Sequence, residues 1–304
     1  MSAVTFSALV QRFFTHRLCV QMEASKHTVA GYRDTFRLLL RYASVRHSKP
    51  PIKLTVEDID ADLVADFLAH SETARGNSAR SRNTRLAAIR SFYRYVAMSD
   101  PAWLLHCQRI LAMPNKRYVR RAVTFLDADE MAALLAAPDR TTWAGRRDHA
   151  LLLLAIQTGL RASELVSLQC SDVVPGNGAH IRCMGKGRKE RATPLRKETA
   201  KLLAAWIGDK DRTSPLFPSI RGGQLSRDAL EHLVRKHCLT AAQTCPSIGT
   251  KRITPHTLRH STAMDLQHHG VDQAVIALWL GHQNVETTQV YYAQTPDMCS
   301  NVSW

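Results

Sequence analysis

With 304 residues, 45% of them hydrophobic and 22% charged, the chain is long enough for two domains and has the composition of a folded protein. It contains no apolar run that could span a bilayer and no secretory signal at its N-terminus, so we expect a soluble, cytoplasmic protein. The 41 Lys and Arg residues against 26 Asp and Glu give a net charge of +15, which favours a polyanionic partner. Charge alone does not separate DNA from RNA or from an acidic membrane surface.

The cysteines give no sign of a metal centre or a disulfide framework. They are odd in number and scattered, with no closely spaced pair of the kind that binds zinc: Cys19, Cys107, Cys170, Cys183, Cys238, Cys245 and Cys299. We expect them to be reduced and mostly structural, and we expect no metal site. The sequence also has no glycine loop of the kind that binds nucleotides, so no cofactor is expected.

Residues 1–112 carry four apolar stripes at helical spacing. The first begins at Phe6 and the second at Val29, and the third and fourth occupy 58–70 and 78–98. This pattern predicts a small helical bundle.

The charged residues of the fourth predicted helix are all positive, which is unusual for a single helix: Arg80, Arg82, Arg85, Arg90 and Arg94. Like charges at helical spacing repel one another and are tolerated best when a polyanion compensates them, so we favour a DNA contact over a merely solvated face. The composition then shifts to a basic segment with a proline, and we predict an interdomain linker at 113–123 that lies along a phosphate backbone. Its cations are Lys116, Arg117, Arg120 and Arg121.

Residues 124–304 are expected to form a second domain of helices with one β-hairpin. The predicted fold class is therefore mainly α, with a small β-hairpin or sheet in an α+β C-terminal half. Helices are predicted at 128–137 and at Trp143–Thr158, the latter ending at Gly159, which suits a helix C-terminus. Arg161 follows at a corner between helices, where a cation can point into a cleft, although an ordinary surface arginine fits equally well.

Two short runs, His180–Met184 and 192–195, flank the segment GKGRKER and predict the hairpin, with Lys186 at its tip. Four cations in this turn fit either a solvated loop or a lysine that reaches into a DNA groove and delivers a proton. Further helices are predicted at 198–206 and 228–238, followed by a loop at 240–252.

The stretch 254–291 holds the densest set of candidate catalytic side chains. Thr254 and Pro255 predict a helix start, because a threonine hydroxyl caps free amides and proline suits the first helical position. His256 and Arg259 lie one turn apart on this helix, near the end that attracts anions. This pattern is typical of a phosphate site.

The next predicted helix has an apolar stripe expected to be buried: Val271, Val275, Ile276, Leu278 and Leu280. It ends at Gly281, so His282 is expected to project from a turn, and Tyr291 follows nine residues later. Each of these residues alone fits a solvated or packing role. Their combination indicates phosphoryl transfer, with a phenol that attacks a phosphate faced by two cations.

Five segments together resemble the tyrosine recombinase (phage integrase) family, especially its compact Xer-like and transposon-borne members. They are TGLRASEL around Arg161, GKGRKER around Lys186, HTLRH from His256, LGH ending at His282 and TTQVYY around Tyr291. No single segment is specific, whereas five in this order and spacing are. The resemblance is strong from Asp129 to Ala293 and only general over the N-terminal helices, which are similar to the family's core-binding domain.

The resemblance implies that Tyr291 attacks a scissile DNA phosphate and leaves a 3′-phosphotyrosyl link with a free 5′-hydroxyl. Arg161 and Arg259 would hold the non-bridging oxygens. Tyr291 is preferred over its neighbour Tyr292 because its distance from His282 matches the family pattern. The covalent intermediate conserves the phosphodiester energy, so neither a metal nor ATP is required.

The resemblance also assigns the proton transfers. Lys186 would be the general acid for the leaving 5′-oxygen, His256 would assist proton transfer with Tyr291, and His282 would donate a hydrogen bond to the phosphate. Arg188 and Lys189 in the same turn would contact DNA. Glu164 and Asp172 are expected to be structural, bracing Arg161 or the hairpin.

The implied partner is double-stranded DNA with paired recognition sites, bound by a homotetramer or by a heterotetramer with a related recombinase. Exchange of a C-terminal helix between protomers stays open, because only residues 293–304 follow Tyr292. Two alternatives are a DNA-binding protein that has lost catalysis and a type IB topoisomerase-like enzyme that nicks and reseals one strand. The sequence leaves open the DNA site and the outcome, whether integration, excision, resolution, inversion or transposition.

Overall fold

The computed structural model describes residues 5–119, 123–185 and 190–281. The chain divides into two compact units, Met1–Arg120 and Arg121–Trp304. Both are mainly helical, and the second adds a small antiparallel sheet, which confirms the predicted fold class. The limits predicted for the linker, 113–123, stay a prediction.

The described residues of the first unit form five α-helices. They are α1 (Phe6–Arg12), which continues directly as a π-helix (Phe13–Gln21), α2 (Lys26–His47), α3 (Ala61–Thr73), α4 (Ala79–Ser99) and α5 (Leu104–Leu111). Side-chain oxygens cap the first four at their N-termini: Thr5, Ser25, Asp60 and Ser78. The third helix was predicted from residue 58, but Asp60 accepts a hydrogen bond from Leu63 N at 2.8 Å and sets its start.

An aromatic cluster fills the centre of the first unit. Phe92 of α4 packs its ring against Phe6, Phe13 and Phe36, with centroids 5.2 to 5.5 Å apart. Tyr93 is fully buried, and its hydroxyl donates to the carbonyl of Ile59 at 2.6 Å. The apolar stripes found in the sequence therefore meet in one core, as a helical bundle requires.

The second unit contains seven α-helices among its described residues. They are α6 (Ala128–Ala136), α7 (Trp143–Thr158), α8 (Ala162–Ser167), α9 (Lys197–Ile207), α10 (Arg227–Ala241), α11 (Pro255–His268) and α12 (Gln273–Leu280). The stretch 240–252 was predicted as a loop, but α10 runs on to Ala241 and a 3₁₀ turn covers Pro246–Thr250. The apolar side chains of Ala241 and Ile248 are both buried, which holds this stretch against the core.

The sheet has three antiparallel strands in the order β1 (Val173–Val174), β2 (His180–Met184) and β3 (Glu190–Pro194). Strands β2 and β3 form the predicted hairpin, with Cys183 opposite Arg191. Strand β1 was not predicted, because two residues are too few to show an alternating pattern.

The apolar stripe predicted for α12 is only partly correct. Ile276 and Leu280 are buried against Ala263 and Met264 of α11, but Leu278 is 79% exposed and Val275 is 48% exposed. The buried face follows the four-residue spacing from 276 to 280, and positions 275 and 278 lie off it. No described helix is both long and apolar enough to cross a lipid bilayer.

Candidate active site

A glycine forms the corner between α7 and α8. Gly159 ends α7 with φ of +60°, and Arg161 immediately precedes α8. A Cβ at Gly159 would lie 2.5 Å from the Leu280 side chain, so the close approach of α12 requires a residue without one. The predicted helix end is confirmed, and it places Arg161 beside the end of α12.

Arg161 is tied to this corner by a buried carboxylate. Its Nη1 pairs with Glu164 Oε1 at 2.8 Å, and its backbone N–H donates to Glu164 Oε2 at 2.8 Å. Its Nη2 donates to the carbonyl of Gly281 at 2.9 Å. The Arg161 side chain is 33% exposed, whereas that of Glu164 is 4% exposed. Glu164 therefore braces Arg161, as predicted, and the guanidinium stays reachable from solvent.

Arg259 comes to the same place from α11 but is buried, with 3% exposure. Its Nη1 donates to the carbonyl of Gly159 and its Nη2 to that of Leu280, both at 2.6 Å. Arg161 and Arg259 thus bind successive carbonyls at the C-terminus of α12, the end of a helix that attracts cations. Two positive groups, far apart in sequence, converge on one point.

His256 is exposed in the first turn of α11, after the predicted cap at Thr254, which accepts a hydrogen bond from Thr257 N at 3.2 Å. Its ring centroid lies 4.1 Å from that of His260. His256 and Arg259 are one turn apart, as predicted, yet one is exposed and the other buried.

Several predicted site residues lie outside the described ranges: Arg120, Arg121, Lys186, Arg188, Lys189, His282 and Tyr291. The described elements nevertheless border two of the proposed catalytic residues among them. Lys186 falls between β2 and β3, and His282 directly follows Gly281 at the end of α12. The described part of the site therefore brings together Arg161 and Arg259.

Arg191 was missed as a site residue, because it was counted among the cations of the hairpin turn. Its side chain is only 14% exposed, and its Nη2 pairs with Glu164 Oε2 at 2.8 Å. The signal was present in the alternation of the strand, since Arg191 lies two residues before the buried Thr193 and so shares its face.

Side chains that could bind a metal do not gather in the part of the chain that the structure describes: it shows no group of three or more His, Cys, Asp or Glu residues. The six described cysteines are free. Burial raises the pKa of the Cys183 thiol beside this site, although the Arg191 guanidinium opposes that shift.

The arginines of α4 form the candidate DNA interface, and they differ in their surroundings. Arg80 and Arg94 are exposed, whereas Arg85 Nη1 and Arg90 Nε are buried without a hydrogen-bond partner. Burial and the nearby charge of Arg75 lower the pKa of Arg85. Burial and the nearby charges of Arg94 and Arg82 likewise lower the pKa of Arg90. This cluster has a surplus of positive charge that an anionic partner would relieve.

The start of the predicted linker is anchored to α4 by hydrogen bonds. Arg82 Nη1 donates to the carbonyl of Pro114 at 3.0 Å, and Arg90 Nη1 donates to Asn115 Oδ1 at 3.2 Å. Asn83 exchanges two hydrogen bonds with the backbone of Lys116, at 2.8 and 2.9 Å. Asn83, like the two arginines, faces this segment. An asparagine inside a helix does not by itself indicate in the sequence that it binds a distant backbone. Arg117 is exposed.

Two family models match the chain. One, the phage integrase family, covers residues 124–298, and the other, the N-terminal SAM-like domain of phage integrases, covers residues 10–99. The chain belongs to the phage integrase family. The resemblance found in the five segments is thereby confirmed, and so is the enzyme class that it implied, a tyrosine recombinase that breaks and rejoins DNA strands.

Curated relatives match this chain over nearly its whole length. It is 51% identical over 293 residues to the putative integrase/recombinase y4rC of Sinorhizobium fredii (strain NBRC 101917 / NGR234), covering 96% of this chain and 88% of that protein. It is 33% identical over 288 residues to the tyrosine recombinase XerC of Pelobacter propionicus, covering 92% and 89%. The fold is similar to that of a lambda integrase tetramer bound to a Holliday junction, with a TM-score of 0.67 and 19% identity over 97% of this chain and 80% of that one.

Proposed function

We propose that this phage integrase family member recombines DNA at specific sites with Tyr291 as the nucleophile. The phenol oxygen attacks the scissile phosphorus, the bond to the 5′-oxygen breaks, and a 3′-phosphotyrosyl link and a free 5′-hydroxyl result. Attack by that hydroxyl or by another 5′-hydroxyl reverses the step and rejoins a strand. The proposal rests on one observation above all, the convergence of Arg161 and Arg259 at the end of α12.

The two guanidinium groups are suited to stabilise a phosphate in the transition state of strand cleavage. Arg161 Nη2 and both Nη atoms of Arg259 now donate to backbone carbonyls, which are neutral acceptors, and a charged phosphate oxygen is a stronger acceptor. Positive donors fixed in advance stabilise the charge that develops on the non-bridging oxygens, and such terms are commonly the largest in phosphoryl transfer. Arg161, being partly exposed, is the first of the two that a DNA phosphate would meet.

Proton transfers complete the reaction. In our proposal His256 assists removal of the proton from Tyr291, Lys186 protonates the leaving 5′-oxygen, and His282 donates a hydrogen bond to the phosphate. The exposed position of His256 at the start of α11 supports its access to a bound phosphate. Lys186 falls between β2 and β3 in the chain, which supports a lysine carried at the end of a hairpin.

We further propose that two pairs of protomers assemble on paired double-stranded sites as a tetramer, either of this chain alone or with a related recombinase. The lambda integrase tetramer on a Holliday junction supports this stoichiometry through its similar fold. The arginines of α4 and the basic residues around 113–123 would bind the DNA backbone. The cytoplasmic location expected from the sequence stays part of this proposal.

A covalent-adduct experiment tests the proposed function. Purified protein is mixed, in EDTA, with a library of nicked duplexes from the DNA that flanks its gene, and adducts that survive denaturant are collected. The expected result is an adduct that mass spectrometry maps to Tyr291 and that Tyr291→Phe lacks while still binding DNA. DNA binding without any adduct would instead favour a catalytically silent protein.

The type IB topoisomerase alternative has a distinct outcome. Such an enzyme would relax plasmids that carry no special site and would yield no exchanged products. No feature of the described residues favours it, and relatives that cover most of the chain are named as integrases or recombinases.

A further inference from the structure

Arg191 touches the partners of both arginines of the proposed phosphate clamp. Its Nη2 pairs with Glu164 Oε2 at 2.8 Å, the carboxylate that also holds Arg161. Its Nη1 donates to the carbonyl of Leu280, which also accepts from Arg259. Its Nε donates to Cys183 Sγ at 3.1 Å. All three guanidinium nitrogens are therefore engaged inside the protein.

We propose that Arg191 is a positioning residue for the phosphate clamp, and this inference rests on the proposed function. Arg191 binds no substrate itself. It holds Glu164 and the end of α12 in place and takes up part of the Glu164 charge, so that Arg161 stays available to the phosphate.

The charge argument follows from the burial of Glu164. Its carboxylate is 4% exposed, and a buried carboxylate attracts whatever cation it can reach. If Arg161 were its only partner, the ion pair would neutralise the charge that the phosphate needs. With Arg191 present, two guanidinium groups share one carboxylate, and a net positive charge remains at the site.

The geometric argument concerns the end of α12. Gly281 has φ of +65°, and a Cβ built on it would overlap the Arg191 guanidinium. The lack of a side chain at Gly281 therefore leaves room for Arg191 immediately before His282. Arg191 lies on β3, the strand that follows the segment containing Lys186. Its bonds to Glu164 and Leu280 therefore also fix β3 against α8 and α12. One side chain thus links the elements that border three proposed catalytic residues.

Arg191→Met tests this role, because methionine keeps the length of the stem and removes the donors and the charge. The matched control is Arg182→Met. Arg182 is on the neighbouring strand of the same hairpin, is exposed, and donates to the carbonyl of Ser171 on the opposite face from Arg191. For both variants we would measure thermal unfolding, DNA affinity and the rate of adduct formation on saturating nicked DNA.

We expect Arg191→Met to slow adduct formation by roughly 10- to 100-fold, as small displacements of a catalytic group do, with DNA affinity unchanged. Arg182→Met should behave as wild type. Arg191→Lys keeps the charge but reaches only one acceptor, so its rate should lie between those of wild type and Arg191→Met. It also serves as the test if the methionine variant fails to fold.

A second substitution separates charge sharing from simple support of the fold. Adding Glu164→Gln to Arg191→Met removes the unshared carboxylate, so the double variant should form adducts several-fold faster than Arg191→Met. A double variant no faster than the single one, or an Arg191→Met rate equal to that of Arg182→Met, would overturn the inference. Failure of wild type to form any adduct would instead refute the proposed function.

Discussion

Arg259 Nη1 donates to the carbonyl of Gly159 at 2.6 Å, and this bond ties α11 to the corner that carries Arg161. Through its other nitrogen Arg259 also reaches Leu280, so one buried side chain joins α7, α11 and α12. Arg161 keeps 33% of its side chain exposed. The two arginines are proposed to bind the same phosphate, but the fold depends on them to different degrees.

Replacing each arginine by alanine should separate catalysis from stability. Both Arg161→Ala and Arg259→Ala should slow adduct formation by about 100- to 1000-fold, the usual effect of losing one fixed donor to developing charge. Arg259→Ala should also lower the free energy of unfolding by ~1–3 kcal/mol, because the buried carbonyl of Gly159 loses its side-chain donor, whereas that of Leu280 keeps Arg191. Urea unfolding and the adduct assay check the two effects.

The contrast between the two variants is the control. Arg161→Ala should leave the free energy of unfolding nearly unchanged, since Arg191 still pairs with Glu164. Adduct formation at the wild-type rate in either variant would refute the assigned phosphate clamp. Equal destabilisation by both would contradict the structural role given to Arg259.

Gly159→Ala should destabilise the protein by more than backbone conformation explains. The left-handed conformation at +60° costs alanine about 1 kcal/mol, and contact of its Cβ with Leu280 adds ~1–3 kcal/mol of overpacking. Gly270→Ala is the matched control, because its φ is +74° and a Cβ there would meet nothing within 4 Å. Equal losses in unfolding free energy would show that α12 does not press on this corner.

Local sequence signals predicted much of this site. The helix starting at Thr254 and Pro255, and the helix ends at Gly159 and Gly281, are confirmed because caps and left-handed glycines act within a few residues. The hairpin is confirmed for the same reason. What these signals could not show is the direction in which a side chain points.

The remaining features depend on contacts between distant parts of the chain. The alternation of the strand can indicate that Arg191 faces inward, but its partner Glu164, 27 residues earlier, is identified only by the structure. Leu278 fits an apolar stripe, yet α12 is buried on one side only, by α11, and Leu278 stays exposed. Tertiary packing decides which side chains are buried, and that packing cannot be inferred from the pattern of a single sequence.

The exposed arginines of α4 should contribute to DNA binding through phosphate contacts. Arg80→Ala and Arg94→Ala should each weaken binding to all DNA sequences alike and lower the salt dependence of the binding constant by about one unit in the log–log slope. Arg109→Ala is the control, since Arg109 lies on α5 and its Nη2 is 4.0 Å from Asp62. A fluorescence titration over a range of salt concentrations measures both quantities. Unchanged slopes for Arg80 and Arg94 would remove them from the interface.

A buried ion network joins α7 and α10. Asp148 Oδ1 accepts from Arg147 Nη2 at 2.7 Å, and Asp148 Oδ2 lies 2.8 Å from His237 Nε2. The side chains of Asp148 and His237 are both 3% exposed. Burial alone would raise the pKa of Asp148, but the hydrogen bonds and charges of His237 and Arg147 outweigh it, so that this pKa lies below its ordinary value.

Asp148→Asn should therefore destabilise the protein in a pH-dependent way. A carboxylate whose pKa is depressed on folding stabilises the folded state above its unfolded pKa and loses that contribution as the pH falls through its folded pKa. Near neutral pH the variant should lose ~3–5 kcal/mol of unfolding free energy, because Arg147 is left as a buried charge without its partner. The gap to wild type should narrow as the pH drops below about 4, where this carboxylate begins to protonate in the unfolded chain. Urea unfolding at several pH values measures it, with the exposed Asp129→Asn as control. A gap that stays constant with pH would show that the Asp148 charge does not stabilise this fold.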